Sequence, residues 1–500
     1  MHLAVTSNST KYCTKIFQAA VRGAVALAVL SALLIVAGGQ AQAQTESVLY
    51  NFTGTPDGSN PYSTLTFNNG NLFGTTYKGG LYGYGTVFEL IPNGSGGWSE
   101  SVLYNFCPAA PSCTDGEYPT FTKVAFDSQG NLYGTAYLGG ALGNGVVFEL
   151  SPSGNTWTYN VLYSFAGQPD AANPINGLVF DSKGNLYGTA YSGGGGNNGA
   201  VFELSPASGG GGWTEQVIDS IPSLFAGLAI DSQGNLYGTT TTTVFELSPN
   251  GTNWLPTTLF TFSASTQGKS PNGTPVVDSQ GNVYGTTTTG GKNNLGTVFK
   301  LVKGTNGKYT ERILYSFGAN GTQPDSGIAL DSAGNVYGTT TAGGKNGAGV
   351  VYELVFNGTS YAERSLEAFI GINGAVSYST IVLDNAGYLY GTTFGGGSSG
   401  MGTVFEVNAH AAVTTTTCTS SMNPSTAGEA VTFTATVSPA PPDGEVVVFE
   451  PVGQSTMKGG VATYTTSALK VGQTKITAVY NGDLNFITSR SVSFEQVVNK

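Results

Sequence analysis

The feature that most constrains this chain is a short phrase, "GNLYGTAYLGG" at Gly130–Gly140, whose near-copies return along most of its length. An aromatic residue followed by Gly-Thr stands at Phe73, Tyr133, Tyr187, Tyr237, Tyr284, Tyr337 and Tyr390, with successive spacings of 60, 54, 50, 47, 53 and 53 residues. Such a period, with the variation confined to loops, belongs to propellers and solenoids. In the third unit "NGLVFD" ends at Asp181, "NLYGTAY" starts at Asn185, "AVFEL" at Ala200 and "TEQVIDSI" at Thr214. Short apolar or aromatic runs bounded by Gly, Asn and Asp read as strands. Four of them per unit select the propeller over the solenoid.

Between the first two runs stands Asp-Ser-Lys-Gly-Asn, in which Asp181 caps a turn and Gly184 supplies its left-handed residue. The turn recurs at Asp127, Asp231, Asp278, Asp331 and Asp384, and as Asn68-Asn69-Gly70 in the first unit. It lacks the alternating ligands of a calcium loop, so the aspartate is read as a turn former. The glutamate of "VFEL" (Glu89, Glu149, Glu203, Glu246, Glu353, Glu406) is likewise read as structural, because a group copied around a ring satisfies hydrogen bonds more often than it does chemistry. The ends add a constraint. "TESVLYNF", Thr45 to Phe52, matches the fourth strands "SVLYNF" and "NVLYSF" but precedes any first strand, and the seventh unit stops after "GTVFEV" at Gly402. The first strand is therefore expected to complete the last unit, closing a circle and removing two exposed edges.

The "GNLYGTT…GG…GTVFEL" units resemble the Gloeo-Verruco (GloVer) tandem repeat of secreted bacterial proteins, over about Thr45 to Asn408. That resemblance implies fold and export and leaves activity open. After His410 the alternating runs "GEVVVFE", "GGVATYTTSAL" and "AVYNGDLNF" resemble a bacterial immunoglobulin-like repeat domain, with Cys418 where an apolar residue is expected. The expected fold is all-β: a signal peptide at 1–43, a seven-bladed β-propeller at 44–408, and a linker with a small immunoglobulin-like β-sandwich at 409–500.

The export signal rests on basic Lys11, Lys15 and Arg22, an apolar core from Ala24 to Val36 and the small-residue site Ala41-Gln42-Ala43. Its removal takes the net charge from −11 to −14, which argues against nucleic acid and anionic membrane as partners. A soluble extracellular or cell-surface monomer without membrane insertion is expected. Cys107 and Cys113 share the loop "CPAAPSC" and are expected to pair in an oxidising compartment.

Chemistry is narrowed by what the sequence holds. The histidines are His2 and His410, so the repeats contain none, which excludes Ser-His-Asp and Cys-His catalysis and most zinc and copper sites. No cofactor or metal is expected. "QGKS" at Gln267 to Ser270 and "GLYGYG" at Gly80 lack the strand and helix that phosphate or dinucleotide loops need. Asp57, Asp115, Glu117, Asp170 and Asp325 fall in loops expected on one face, leaving a carboxylate hydrolase or lyase as the alternative reading. The favoured reading is a non-catalytic binding or adhesion protein that presents variable loops to a glycan or cell-surface protein. Its candidate ligand residues are Tyr77, Asp115, Glu117, Tyr118, Tyr137 and Tyr191, with a notch opposite them where the fourth unit, "TTTTTVFEL", has almost no loop.

Overall fold

The computed structural model describes residues 46–500 apart from 95–96, 208–211, 264, 411, 413, 483–485 and 487–488. The expected export signal lies outside the described residues. Among the described residues there is no helix; the chain is all-β.

Seven antiparallel sheets of four strands follow one another along the chain. The first contains Thr66–Asn68, Asn71–Thr76, Thr86–Pro92 and Trp98–Asn105, in that order across the sheet. Five more sheets repeat this order with consecutive strands. The seventh takes Val382–Leu383, Tyr388–Thr393 and Thr403–Asn408, and its fourth strand is Glu46–Asn51 from the other end of the repeats, antiparallel to Thr403–Asn408. Each sheet carries a register shift between its third and fourth strands at the same place, as at Val87/Phe88 and Val147/Phe148, and in the seventh at Val48/Tyr50. Bulges of this kind increase local twist.

Each residue of the repeated Leu-Tyr-Gly-Thr has a separate task. Leucines such as Leu132 and Leu186 are fully buried. The tyrosine hydroxyl returns to the turn: Tyr133 donates to Asp127 Oδ2 at 3.0 Å, while Asp127 Oδ1 accepts the amides of Gln129 and Asn131 at 2.8 and 2.9 Å. The same set forms at Asp181, Asp231, Asp278 and Asp331. The glycine admits the aromatic ring of the facing strand: a Cβ on Gly134 would stand 2.5 Å from Phe148, and one on Gly238 2.3 Å from Phe245. No larger residue fits there.

The threonine joins sheet to sheet. Thr75 donates its hydroxyl to Thr122 O, Thr135 to Asn176 O, Thr189 to Ala226 O, and Thr239 to Gly273 O. Thr286 donates to Ser326 O, Thr339 to Ser379 O, and Thr392 to Ser63 O at 3.0 Å, so the last sheet bonds the first. The segments leading into the first strands also touch one another in the same cyclic order, for example Gly227 N to Thr274 Oγ1, Gly327 N to Thr380 Oγ1 and Thr380 N to Thr64 Oγ1. They therefore surround a common axis, and apolar clusters fill the gaps between neighbouring sheets, including the gap between the seventh and the first.

The tail from Thr415 forms a three-stranded sheet (Thr415–Ser420, Val431–Ser438, Val461–Thr466) and a larger mixed sheet built on Gly472–Tyr480 and Phe494–Asn499. Both supply one apolar cluster, with Phe433 from the first and Phe449 and Ile476 from the second. Cys418 packs partly buried against it, and burial pushes its thiol up to about 11.

Phe52 follows the out-of-place first strand, is fully buried, and meets Phe88 of the next sheet edge-on at 5.1 Å. Phe52→Ala should therefore destabilise the protein by about 3–5 kcal/mol. Phe356→Ala, at a ring that is 40% exposed, should cost far less. Chemical denaturation of the two variants checks this.

Candidate functional site

The register of the first strands fixes which residues meet at the axis. Thr66, Ala125, Val179, Ala229, Val276, Ala329 and Val382 each pair with the repeat aromatic of their own sheet. Four positions earlier stand Tyr62, Phe121, Ile175, Phe225, Asn272, Asp325 and Tyr378. The layer is two-sided. On one side Tyr62 lies 4.4 Å from Phe394, 4.7 Å from Phe121, 5.2 Å from Tyr378 and 5.6 Å from Tyr77, between ring centroids. Tyr77 continues the cluster to Tyr118 at 5.2 Å, and Tyr118 to Tyr84 at 5.6 Å. On the other side Asp325 Oδ1 accepts Asn272 Nδ2 at 3.0 Å and Thr288 Oγ1 at 2.8 Å.

Asp325 keeps partial exposure although it lies deep in the protein, which places it in a recess and not in a packed core. Burial raises its pKa, against the two hydrogen bonds. Tyr378 is pushed up to about 12, first by burial and then by the Asp325 charge.

The candidates read from the sequence divide between two places. Tyr77 and Tyr118 belong to the aromatic cluster. Tyr118 is held at φ 57°, left-handed, because its amide donates to Tyr84 O of the preceding sheet at 2.9 Å. Asn60, Asn173, Ser223, Gln323 and Val376 make the same contact in other sheets. Tyr137 donates its amide to Tyr118 O, and its carbonyl accepts Asn173 Nδ2. Tyr191 rests on Phe225, 5.6 Å between centroids, in a different sector. Asp115 and Glu117 lie in the loop stapled by the Cys107–Cys113 disulfide. Burial, with the neighbouring Asp115, raises the Glu117 pKa.

Asp115 has a local task. Its Oδ2 accepts Tyr104 OH at 2.7 Å and Cys107 N at 2.9 Å. Asp57 does the same for Tyr50 and Thr53, and Asp170 for Tyr163 and Ala166. These three carboxylates cap equivalent loops. Asp325 follows a proline as Asp57 and Asp170 do, yet it stands at the axis. Two caps face a second acid on a fourth strand: burial, then Asp57, raises Glu100 to about 7, and burial, then Asp170, raises Glu215 to about 8. The repeated glutamates are satisfied inside their own sheets, as where Tyr133 and Tyr337 donate to Glu149 and Glu353 at 3.0 Å. Among the described residues no three acidic, histidine or cysteine side chains gather as a metal would need. The fourth sheet turns from strand two to strand three within Thr240–Thr243, closed by a 2.8 Å contact between the two hydroxyls.

Tyr62, Phe121, Tyr378, Phe394 and Asn272 were not singled out in the sequence, and Asp325 was noted there only as one of five loop carboxylates. The signal that could have found them is position: each first-strand member stands a fixed four residues before the partner of the repeat aromatic.

A sequence model of the Gloeobacter/Verrucomicrobia repeat matches residues 97–243 and 226–438, and one of the bacterial Ig-like domain (group 3) matches residues 418–499. The chain belongs to the Gloeobacter/Verrucomicrobia repeat family. No curated protein matches it in sequence. Among solved structures it is similar to the extracellular domain of a hybrid two-component system from B. thetaiotaomicron, at 12% identity and TM-score 0.49, over 91% of this chain and 59% of that one. A gluconolactonase from Xanthomonas campestris aligns at 15% identity and TM-score 0.35, over 72% of this chain and 88% of that one. An auxiliary nutrient binding protein from Bacteroides thetaiotaomicron aligns at 12% identity and TM-score 0.36, over 65% and 83%. The chain thus spans less than two thirds of the two-component domain it resembles.

Glu100 and Glu215 keep their protons when folded at pH values where the unfolded chain, near 4.5, has lost them. Their contribution to stability is complete below about pH 4.5 and is lost as pH rises through 7 to 8. The melting temperature should therefore fall between pH 5 and pH 8.5, and the fall should shrink in Glu215→Gln. An unchanged slope in that variant would remove the acid pair as its cause.

Proposed function

We propose that residues 44–408 form a seven-bladed β-propeller, followed by an immunoglobulin-like sandwich that acts as a spacer, in a secreted or cell-surface protein that binds a glycan without turning it over. The cyclic order of seven four-stranded sheets and the shared tail core support the architecture. The basic-apolar-small pattern of residues 1–43 supports export.

One observation carries the binding reading: a continuous aromatic surface at the axis faces a hydrogen-bonding side made by Asn272, Thr288 and Asp325. Sugar recognition needs both parts, a flat apolar ring for the face of the pyranose and fixed polar groups for its hydroxyls. The variable loops bearing Tyr77, Asp115, Glu117, Tyr118, Tyr137 and Tyr191 frame that recess on a scaffold whose strands carry the folding load. Asp57, Asp115 and Asp170 are occupied as loop caps, which favours binding over carboxylate catalysis.

A glycan array with the exported protein tests the reading. Tyr77→Ala and Tyr118→Ala should each weaken the strongest glycan signal about tenfold or more, the scale of one lost stacking contact. Unchanged binding in both variants would refute the site. Turnover of a glycan, abolished in Glu117→Gln, would replace binding with catalysis.

A further inference from the structure

Two residues beyond the aromatic layer, on the way towards the Asp-Gly turns, the first strands place Thr64, Lys123, Gly177, Gly227, Thr274, Gly327 and Thr380 around the axis. Lys123 is the charged member. Its side chain is open to water and yet deep enough within protein that burial lowers its pKa. Both conditions hold for a group standing in an open channel and for neither a surface lysine nor a core one. Among the described residues no hydrogen-bond acceptor or carboxylate partners it, in a chain that carries 30 acidic residues against 19 basic ones. A cation confined in a channel keeps only part of its bulk hydration, and an anion that enters the channel would pair with a charge that no protein group neutralises.

The same layer supplies further donors. Thr274 Oγ1 accepts Gly227 N at 3.0 Å, Thr380 Oγ1 accepts Gly327 N at 3.0 Å, and Thr64 Oγ1 accepts Thr380 N at 3.3 Å. With each oxygen already accepting a backbone N–H, the hydroxyl protons have no acceptor among the described residues and are free to donate into the channel. The glycines hold the strands close enough for this. A Cβ on Gly177 would stand 2.4 Å from Lys123 O, and one on Gly327 2.6 Å from Thr380 Oγ1.

We propose that the axial layer of Lys123 with Thr64, Thr274 and Thr380 is an anion site, and that it takes the carboxylate of an acidic saccharide whose ring lies against the aromatic layer. The saccharide part rests on the glycan reading above; the anion part rests on Lys123 and the hydroxyls alone. Asp325 sets the order of the recess: its carboxyl faces sugar hydroxyls beside Asn272, and the ligand's negative charge lies one layer further on. A neutral sugar would gain no charge pairing from Lys123.

Calorimetric titration of the whole protein with glucuronate, glucose and inorganic sulfate tests this, repeated on Lys123→Gln after its melting temperature is shown to match the wild type. Glucuronate should bind more tightly than glucose, weaken about tenfold or more in Lys123→Gln, and weaken with added salt, while glucose is unaffected by the substitution. Methylated Lys123, followed by carbon NMR in the wild type, should shift with glucuronate and not with glucose. Equal glucuronate affinity in both proteins, no preference over glucose, or an unmoved lysine signal would overturn the anion site and leave neutral-glycan binding at Tyr77 and Tyr118 standing. Sulfate binding in place of glucuronate would overturn the saccharide assignment.

Discussion

Seven buried threonine hydroxyls, each reaching from the second strand of one sheet to a carbonyl in or just before the first strand of the next, hold the architecture in register. A carbonyl at the inner edge of a sheet has no further strand to bond, and leaving it unpaired among packed sheets would cost about 1–3 kcal/mol. The threonine supplies the missing donor without adding a charge. It must follow a glycine because the facing aromatic ring occupies the space of a side chain, and in six of the seven sheets that glycine follows the tyrosine whose hydroxyl fixes the hairpin turn. The phrase Leu-Tyr-Gly-Thr is conserved within the chain because each letter answers to a different neighbour.

Closure follows from the same contact. Thr392 finds its acceptor at Ser63, more than three hundred residues earlier, and Glu46–Asn51 completes the sheet to which Thr392 belongs. Sheet pairing and the hydroxyl bond therefore cross the junction together. With the inner edges held on one axis, residues at a single register position become neighbours, and variation at that position supplies the proposed binding surface. The repeat keeps shape; the proposed site is built from departures from it, Tyr62, Lys123, Asn272, Asp325 and Tyr378.

Much of the fold was legible because strand, turn and edge information is local. The Asp-x-x-Gly turn, the four runs per unit and the orphaned first strand could be read in order, and the Cys107–Cys113 staple needed only a six-residue separation. The candidate site was only partly legible. Tyr77 and Tyr118 stand in variable loops and drew notice, whereas Tyr62, Phe121 and Tyr378 sit where loop becomes strand and need the register before they can be placed. Sheet two has one more residue than sheet one between the left-handed position (Tyr118, Asn60) and the partner of the repeat aromatic (Ala125, Thr66), which hides Phe121 from simple alignment. Asp325 was grouped with Asp57, Asp115, Glu117 and Asp170 as a loop carboxylate because sequence shows the residue and not its depth. Lys123 gave no signal at all, since an isolated lysine in "TKVAF" reads as ordinary surface until the axis is known.

Whether the threonine hydroxyl holds the ring shut is measured by the unfolding free energy of Thr392→Val beside Thr392→Ser. Valine keeps the volume and removes the donor to Ser63 O; serine keeps the donor and removes a methyl group. The expected loss is about 1–3 kcal/mol for valine and smaller for serine. Equal losses, or a valine variant as stable as the wild type, would contradict that role of the hydroxyl.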